Sequence, residues 1–463
     1  MICGPLSNYT DSLYVFRLPF AGAGGAREGP AVALVGGPVV HVWGRPYAGA
    51  PMANDRTDEP AFTPAAIEAL LAPAVGRLAP NTSLSPLPYD LNAGVPDRAT
   101  LPSAGLLEAM RRALDADAGA ALTYGGQQGY EPLRAWIAAR ESQEGGLDVT
   151  SAQVTLTSGS AHGIDNIAAT FIGEGDIVLV GAPTYPGAIR TFRARGATIV
   201  ESPQDDDGMI PSALARILDT RRMTGRQAKL LYIQPNYDNP SGATLPLERR
   251  EAIVALARQH GVLIVEDDAY TGIDLDGPPP PSMFAIARGR GVMRVGTFSK
   301  TVATGLRVGW ITSQAEITAK LVFMRFDNGA SPLLHRMVLE YLRSGEYEPH
   351  VQRLCDLYRA RRDASADALR EFCEPYVTFK TPRGGFFHWV KLVSGLEARA
   401  VAAAAAEQGV AVTPGTGYFA TPDSATLNGA DRIRLVYSAL PPEELREAIM
   451  RFGRALEGLA SAR

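Results

Sequence analysis

Val292-Met293-Arg294-Val295 runs straight into Gly296-Thr297-Phe298-Ser299-Lys300, and Gly305-Leu306-Arg307-Val308-Gly309-Trp310 follows. The first four residues form a short apolar run of the kind that makes a buried strand. They deliver a lysine to the strand's end, next to two hydroxyls, with a fixed cation seven positions later. Such an amine suits a Schiff base with an aldehyde cofactor whose phosphate lies close by. Taken alone, the pentapeptide reads equally well as a surface lysine after a strand.

The neighbourhood of this stretch has a repeating design. Val154-Thr155-Leu156-Thr157, Ile177-Val178-Leu179-Val180, Thr198-Ile199-Val200, Leu230-Leu231-Tyr232-Ile233 and Val262-Leu263-Ile264-Val265 are further short runs rich in β-branched residues. Helical patterns separate them, with faces marked by Leu107, Met110 and Leu114, by Leu133, Trp136 and Ile137, and by Ile164, Ile167, Ala168 and Phe171. Strands alternating with helices predict an α/β fold: a mostly parallel sheet, covered by helices on both faces. Ligands of such sheets gather at the carboxyl ends of strands. From residue 346 the pattern changes to a long charged helix from Tyr347, then Val377-Thr378-Phe379, Phe386 to Val390, an alanine-rich helix over 397–408, Val410 to Val412, Arg432 to Val436 and a last helix from Glu443. This predicts a smaller α+β domain. The expected division is a poorly structured extension over 1–51, a segment over 52–110 that packs on the small domain and the active site, a large domain over 111–345, and the small domain over 346–463. Met52-Ala53-Asn54-Asp55-Arg56 reads as a natural start, so the extension is either a loose arm or the product of a misplaced start codon.

Composition narrows the classes. With 463 residues, 46% hydrophobic and 20% charged, the chain can bury two cores. A net charge of −4 carries no nucleic-acid footprint. No apolar run reaches the length of a membrane span. Cys3, Cys355 and Cys373 and the six histidines are scattered, so no metal site is expected, and a reducing cytoplasm fits.

Four more segments sit just after strand-like runs. Thr157-Ser158-Gly159-Ser160-Ala161-His162-Gly163 opens a helix with small residues, which suits either an anion cup or an ordinary capped start. Ala182-Pro183-Thr184-Tyr185-Pro186-Gly187 presents Tyr185, either as a platform for a flat ring or as loop core. Asn239 in Pro235-Asn236-Tyr237-Asp238-Asn239-Pro240 offers an amide to a ring oxygen, or belongs to a plain turn. Glu266-Asp267-Asp268-Ala269-Tyr270 puts a carboxylate where it can hold a protonated pyridine nitrogen; the magnesium alternative lacks the usual phosphate-binding partners. Later, Arg434 lies between Ile433 and Leu435, so period-2 alternation points it away from the apolar face, toward a planar acceptor such as a carboxylate or toward solvent.

In this order the elements resemble a fold-type I pyridoxal 5′-phosphate enzyme of the class I/II aminotransferase family, over residues 85–460. The resemblance is greatest to the branch that holds 2-aminoadipate aminotransferases and the effector domains of MocR-type regulators. Tyr124-Gly125-Gly126-Gln127-Gln128-Gly129-Tyr130, Leu91-Asn92-Ala93-Gly94-Val95-Pro96-Asp97 and Pro382-Arg383-Gly384-Gly385-Phe386-Phe387 support it. The resemblance implies a large domain with a seven-stranded type of sheet and a smaller α+β domain. It implies that Lys300 forms the internal aldimine and shuttles the Cα proton. Gly159, Ser160 and Ala161 would cup the phosphate with Thr297, Ser299 and Arg307. Tyr185 would stack on the ring, Asp267 would hold its nitrogen, and Asn239 and Tyr270 would contact its oxygen. Arg434 would clamp the substrate carboxylate, with Gly94 and Asn239 lining the same pocket. Tyr124 would reach the phosphate of a neighbouring subunit, which implies a homodimer. Two positions depart from the branch: Ala161-His162 replaces a pair usually occupied by glutamines, and Asp238 adds a negative charge beside Asn239.

The implied reaction moves an amino group from an L-amino acid to a 2-oxo acid. The same cofactor also serves elimination or replacement, oxidative deamination, decarboxylation and C–C bond formation, so these stay open. A MocR-type regulator is disfavoured because residues 1–85 show no basic helix pair.

Overall fold

The computed structural model describes residues 62–78, 87–393 and 395–462. The extension expected over 1–51 lies outside the described residues, as do 52–61 and 79–86 of the segment that follows it. Residues 62–69 carry most of a short helix, Pro64–Leu70.

Leu70–Arg463 is built on an eight-stranded sheet. Its order is Val154–Thr157, Gly309–Thr312, Val292–Thr297, Leu263–Asp267, Ala228–Ile233, Ile177–Ala182, Thr198–Asp205 and Gly208–Met209. The five strands from Val292–Thr297 to Thr198–Asp205 are paired in parallel. Gly309–Thr312 runs antiparallel to both of its neighbours, and the eighth strand is a two-residue hairpin arm. Adjacent residues of the central strands point into separate cores. Leu179, Leu231 and Ile264 join Leu133 and Ile137 on one face, while Val178, Leu230 and Val265 join Ile164 and Ile167 on the other. Both faces are therefore covered, which is why these strands read as continuous apolar runs.

One predicted helix packs by a different face. Ser103–Ala121 buries Ala109 and Ala113 and leaves Leu107 74% exposed. A Cβ at Gly105 would come within 2.9 Å of the Tyr341 ring, so small residues allow this helix to approach Pro332–Arg343 closely. Of the predicted apolar face, Met110 packs partly buried against the core and only Leu107 is turned outward.

The small domain carries a four-stranded antiparallel sheet in the order Val377–Thr378, Phe387–Leu392, Arg432–Val436 and Thr413–Pro414. Helices Tyr347–Cys373 and Pro442–Ser461 cover it with Leu369, Cys373, Ile449 and Phe452. Tyr89–Asp90 pairs in parallel with Val410–Ala411, which binds the segment around residue 90 to this domain.

Behind the carboxyl ends of the central strands lies a buried ionic cluster. Arg294 pairs with both Glu141 and Asp268, and all three side chains are buried. Asp268 also accepts from Asn236 Nδ2 at 3.0 Å and from the Thr271 hydroxyl. Burial opposes its ionisation, yet Arg294, Thr271 and Asn236 outweigh that and hold its carboxyl below the usual range. Replacing Arg294 with methionine strands two buried carboxylates, and a loss of about 3–5 kcal/mol in denaturant unfolding is expected.

Candidate active site

The strand Val292–Thr297 ends where Phe298 packs against Trp310 and Trp136, and this turn carries Lys300. The Lys300 amine donates to the Gly94 carbonyl at 2.8 Å and lies 5.6 Å from the centre of the Tyr270 ring. Burial, reinforced by the positive charges of Arg307 and Arg434, brings its pKa down to about 8. Gly94 is the only residue type that fits there without movement, since a Cβ would press into the Phe387 ring at 2.8 Å.

One strand over, Asp267 ends Leu263–Asp267. Its Oδ2 accepts from the Tyr232 hydroxyl at 2.5 Å and from Gln234 Nε2 at 3.1 Å. Its Oδ1 is buried and has no hydrogen-bond partner. Burial raises the Asp267 pKa to about 6, against the donors Tyr232 and Gln234, and the Asp268 charge adds to the rise. An orphaned, buried carboxylate oxygen fits a protonated ring nitrogen. Asp268 is saturated by Arg294, Asn236 and Thr271, so it offers no second ligand for magnesium. Among the described residues no group of His, Cys, Asp and Glu side chains is arranged to hold a metal.

A third element is an anion cradle at the start of the helix Ser160–Phe171. Gly159 has φ 83°, and a Cβ there would strike the Arg307 guanidinium at 2.4 Å. Arg307 itself has φ 51° and donates to the Ser158 carbonyl at 3.3 Å. Ser160 and Ala161 supply free backbone N–H groups of the first turn, where the helix dipole favours negative charge. Thr297 and Ser299 hydroxyls lie 2.8 Å apart beside this turn. His162 does not face the cradle with a donor: its Nδ1 accepts from the Ser158 N–H at 3.1 Å.

The fourth element joins the two domains. Arg434 Nη1 donates to Asn239 Oδ1 at 2.9 Å, and Nη2 donates to the Asn92 carbonyl at 2.5 Å. Its Nε is buried without a partner. The guanidinium lies against two rings, Phe387 at 4.6 Å and Tyr418 at 5.2 Å. Because Asn239 spends its oxygen on Arg434, its amide N–H groups face elsewhere. Tyr185 caps the helix Pro186–Ala194, and glycine at 187 leaves room for its ring, which a Cβ would meet at 2.4 Å.

Lys300, Asp267, Asn239, Tyr270, Arg307, Gly159, Gly94 and Arg434 are thus linked through direct contacts or shared electrostatics. Tyr124 is not among them; it is 86% exposed. Sequence reading missed Tyr232, Gln234, Phe387 and Tyr418 as parts of the site. Gln234 follows a strand end directly and was open to discovery by that signal, whereas Tyr232 looks like strand core.

The chain matches the family model for aminotransferase class I and II over residues 89–452. It is 33% identical over 372 residues to 2-aminoadipate transaminase of Thermus thermophilus, covering 79% of this chain and 89% of that one. It is 31% identical over 369 residues to aromatic-amino-acid aminotransferase 1 of Thermococcus litoralis, covering 79% and 87%. Its fold is similar to the crystal structure of α-aminoadipate aminotransferase from Thermus thermophilus complexed with N-(5′-phosphopyridoxyl)-L-leucine, with TM-score 0.77 and 30% identity over 86% of this chain and 100% of that one. Fold and site therefore define a fold-type I enzyme dependent on pyridoxal phosphate. The chain belongs to the class I and II aminotransferase family, and its reaction is the transamination of amino acids.

Proposed function

We propose that Lys300 is the residue that binds the cofactor aldehyde and then carries the Cα proton of the amino-acid substrate. The observation that supports this best is the pairing of a lysine whose charge burial suppresses with the partnerless Asp267 oxygen on the neighbouring strand. When bound, pyridoxal phosphate supplies an aldehyde for the amine and a cationic ring that draws electrons from the substrate Cα. Asp267 keeps that ring protonated. Gly159, Ser160 and Ala161 offer backbone N–H groups to the phosphate, and Arg307, Thr297 and Ser299 close its other sides. Tyr185 covers the ring face, and the Asn239 amide and Tyr270 hydroxyl meet the ring oxygen.

Arg434 holds the substrate α-carboxylate, pre-oriented by Asn239, Asn92 and the two rings that sandwich it. An arginine fork reads a carboxylate with two parallel bonds, which lysine cannot reproduce. Arg434→Lys is expected to raise the KM for the amino donor about 10- to 100-fold, the worth of one charge-assisted bond, with bound-cofactor absorbance unchanged. Steady-state kinetics on an amino-acid panel check this and name the substrate.

We infer a homodimer in which Tyr124 reaches the phosphate of a second copy. The exposed apolar residues Leu101, Leu107, Leu122, Phe323 and Phe326 support a partner surface. A cytoplasmic location fits the buried free thiols Cys355 and Cys373. No described helix is long and apolar enough to cross a membrane. An acidic net charge argues against nucleic acid as a partner. Purified protein with no cofactor absorbance, or with absorbance insensitive to Lys300→Ala, overturns the assignment of the lysine.

A further inference from the structure

Asp238 is a carboxyl with no obvious reason to be where it is. It is buried, one residue before Asn239, in a turn closed by the Asp238 N–H to the Ala243 carbonyl at 3.0 Å and the Gly242 N–H to the Asp238 carbonyl at 2.7 Å. Its Oδ2 accepts from the Ser241 hydroxyl at 2.6 Å and weakly from the Ser241 N–H at 3.4 Å. Among the described residues no arginine or lysine pairs with it in the manner of Asp268. The titratable groups that act on it across the turn are on the neighbouring strands: Asp267, and the Tyr232 phenol that donates to Asp267. The same turn is bound to the Asp267 side by a second route, since the Asn239 N–H donates to Gln234 Oε1 at 3.2 Å and Gln234 Nε2 donates to Asp267. On its outer side, Ser241 and Gly242 line a cleft of about 1200 Å³ with Gln204, Thr378 and Arg383.

We propose that Asp238 is a positioning residue acting through Asp267: its carboxylate places a second negative charge behind the first, and so strengthens the pocket's hold on a cationic ring nitrogen. This rests on the reading that Asp267 faces that nitrogen. Burial pushes the Asp238 carboxyl up to about 7, with Ser241 opposing the shift and Asp267 adding to it. The second charge is thus withdrawn as the medium becomes acidic. Like a dimmer, Asp238 changes the strength of the electron sink without touching the substrate. A nearby charge acting through partly screened protein is worth about a fivefold change in rate.

The test uses the full-length holoenzyme. The kcat/KM for an amino donor and the absorbance of the bound cofactor are followed across pH in wild type, Asp238→Asn and Ser241→Ala. Wild type should show an acid-side limb in both readouts. Asp238→Asn should lose that limb and sit about fivefold below wild type on the alkaline side. Ser241→Ala keeps the carboxyl but removes the donor that favours its ionised form, so its limb should move to higher pH. Should Asp238→Asn not fold, the displacement in Ser241→Ala decides alone. Superimposable profiles in wild type and the folded variants overturn the proposal. If Lys300→Ala also leaves the cofactor absorbance unchanged, the assignment of the pocket itself has failed. If only Asp238→Asn and Ser241→Ala are silent, the pocket stands and Asp238 is a structural carboxyl.

Discussion

Lys300→Ala should leave a folded protein that transfers amine at least about 1,000-fold more slowly than wild type. General acid–base catalysis by a placed side chain contributes about 10²- to 10⁴-fold, and here the same amine also forms the bond to the cofactor. A lysine is useful in both roles only when part of it is uncharged. With its pKa near 8, about a tenth of Lys300 is neutral at pH 7, whereas an exposed lysine would be neutral to less than about one part in a thousand. Burial is the main cause, and Arg307 and Arg434 help because each cation repels a third one. The fold should tolerate the change, because the amine's contact in the structure is one bond to the Gly94 carbonyl, worth about 1 kcal/mol. Single-turnover amine transfer and the absorbance of the bound cofactor give the readout. A variant with a tenth of wild-type turnover would remove Lys300 from the chemistry.

Asp267→Asn should lower kcat by about 10²- to 10³-fold, the scale seen when one pre-oriented electrostatic group is lost from a dry site. The surrounding donors make this substitution severe. Gln234 Nε2 can only donate, so it selects the side of the new amide that carries oxygen. The amide N–H groups then face the ring nitrogen, offer it a donor and keep it unprotonated. The ring loses its positive charge and with it the capacity to take up electrons. Stability should move the other way. Because the folded pKa of Asp267 is raised to about 6, its contribution is fully present below the unfolded value and is lost as pH rises through 6. Asp267→Asn lacks that loss, so the thermal unfolding temperature of its cofactor-free form should exceed that of cofactor-free wild type at pH 8 and approach it at pH 4. A variant with wild-type kcat contradicts the pairing with the ring nitrogen, and no gain in stability of the cofactor-free protein at pH 8 contradicts the raised pKa.

Much of this site was legible because strand ends announce themselves. Asp267, Lys300 and the Gly159 turn each lie just beyond an apolar run, and backbone periodicity locates those positions. Arg434 was legible for a different reason, since a charge between Ile433 and Leu435 must leave the apolar face. Tyr232 was hidden because a doubly covered parallel strand has no polar alternation against which a functional hydroxyl would stand out. Tyr418 was hidden because it belongs to a short irregular turn, Gly415–Tyr418, whose place beside Arg434 depends on pairing between Thr413–Pro414 and Arg432–Val436. In the helix Ser103–Ala121 the apolar face was legible only in part, since Met110 packs against the core and Leu107 does not. Leucine is normally the better guide to a buried face, but alanine and glycine win where two helices approach closely enough to exclude larger side chains. The exposed Leu107 then belongs to another surface.

The parallel pairing of Tyr89–Asp90 with Val410–Ala411 has a consequence for how the enzyme comes into being. The residues just beyond that pair, Asn92 and Gly94, contact Arg434 and Lys300 respectively. A ribosome-bound chain that has already made the whole parallel sheet still lacks the partner strand for Tyr89–Asp90. Cofactor capture in a substrate-ready form should therefore await the release from the exit tunnel of both Val410–Ala411 and the strand that carries Arg434, Arg432–Val436. The order of synthesis protects the nascent protein from half-built chemistry: the lysine emerges well before the arginine, but the early segment that touches both can settle only when the late one arrives.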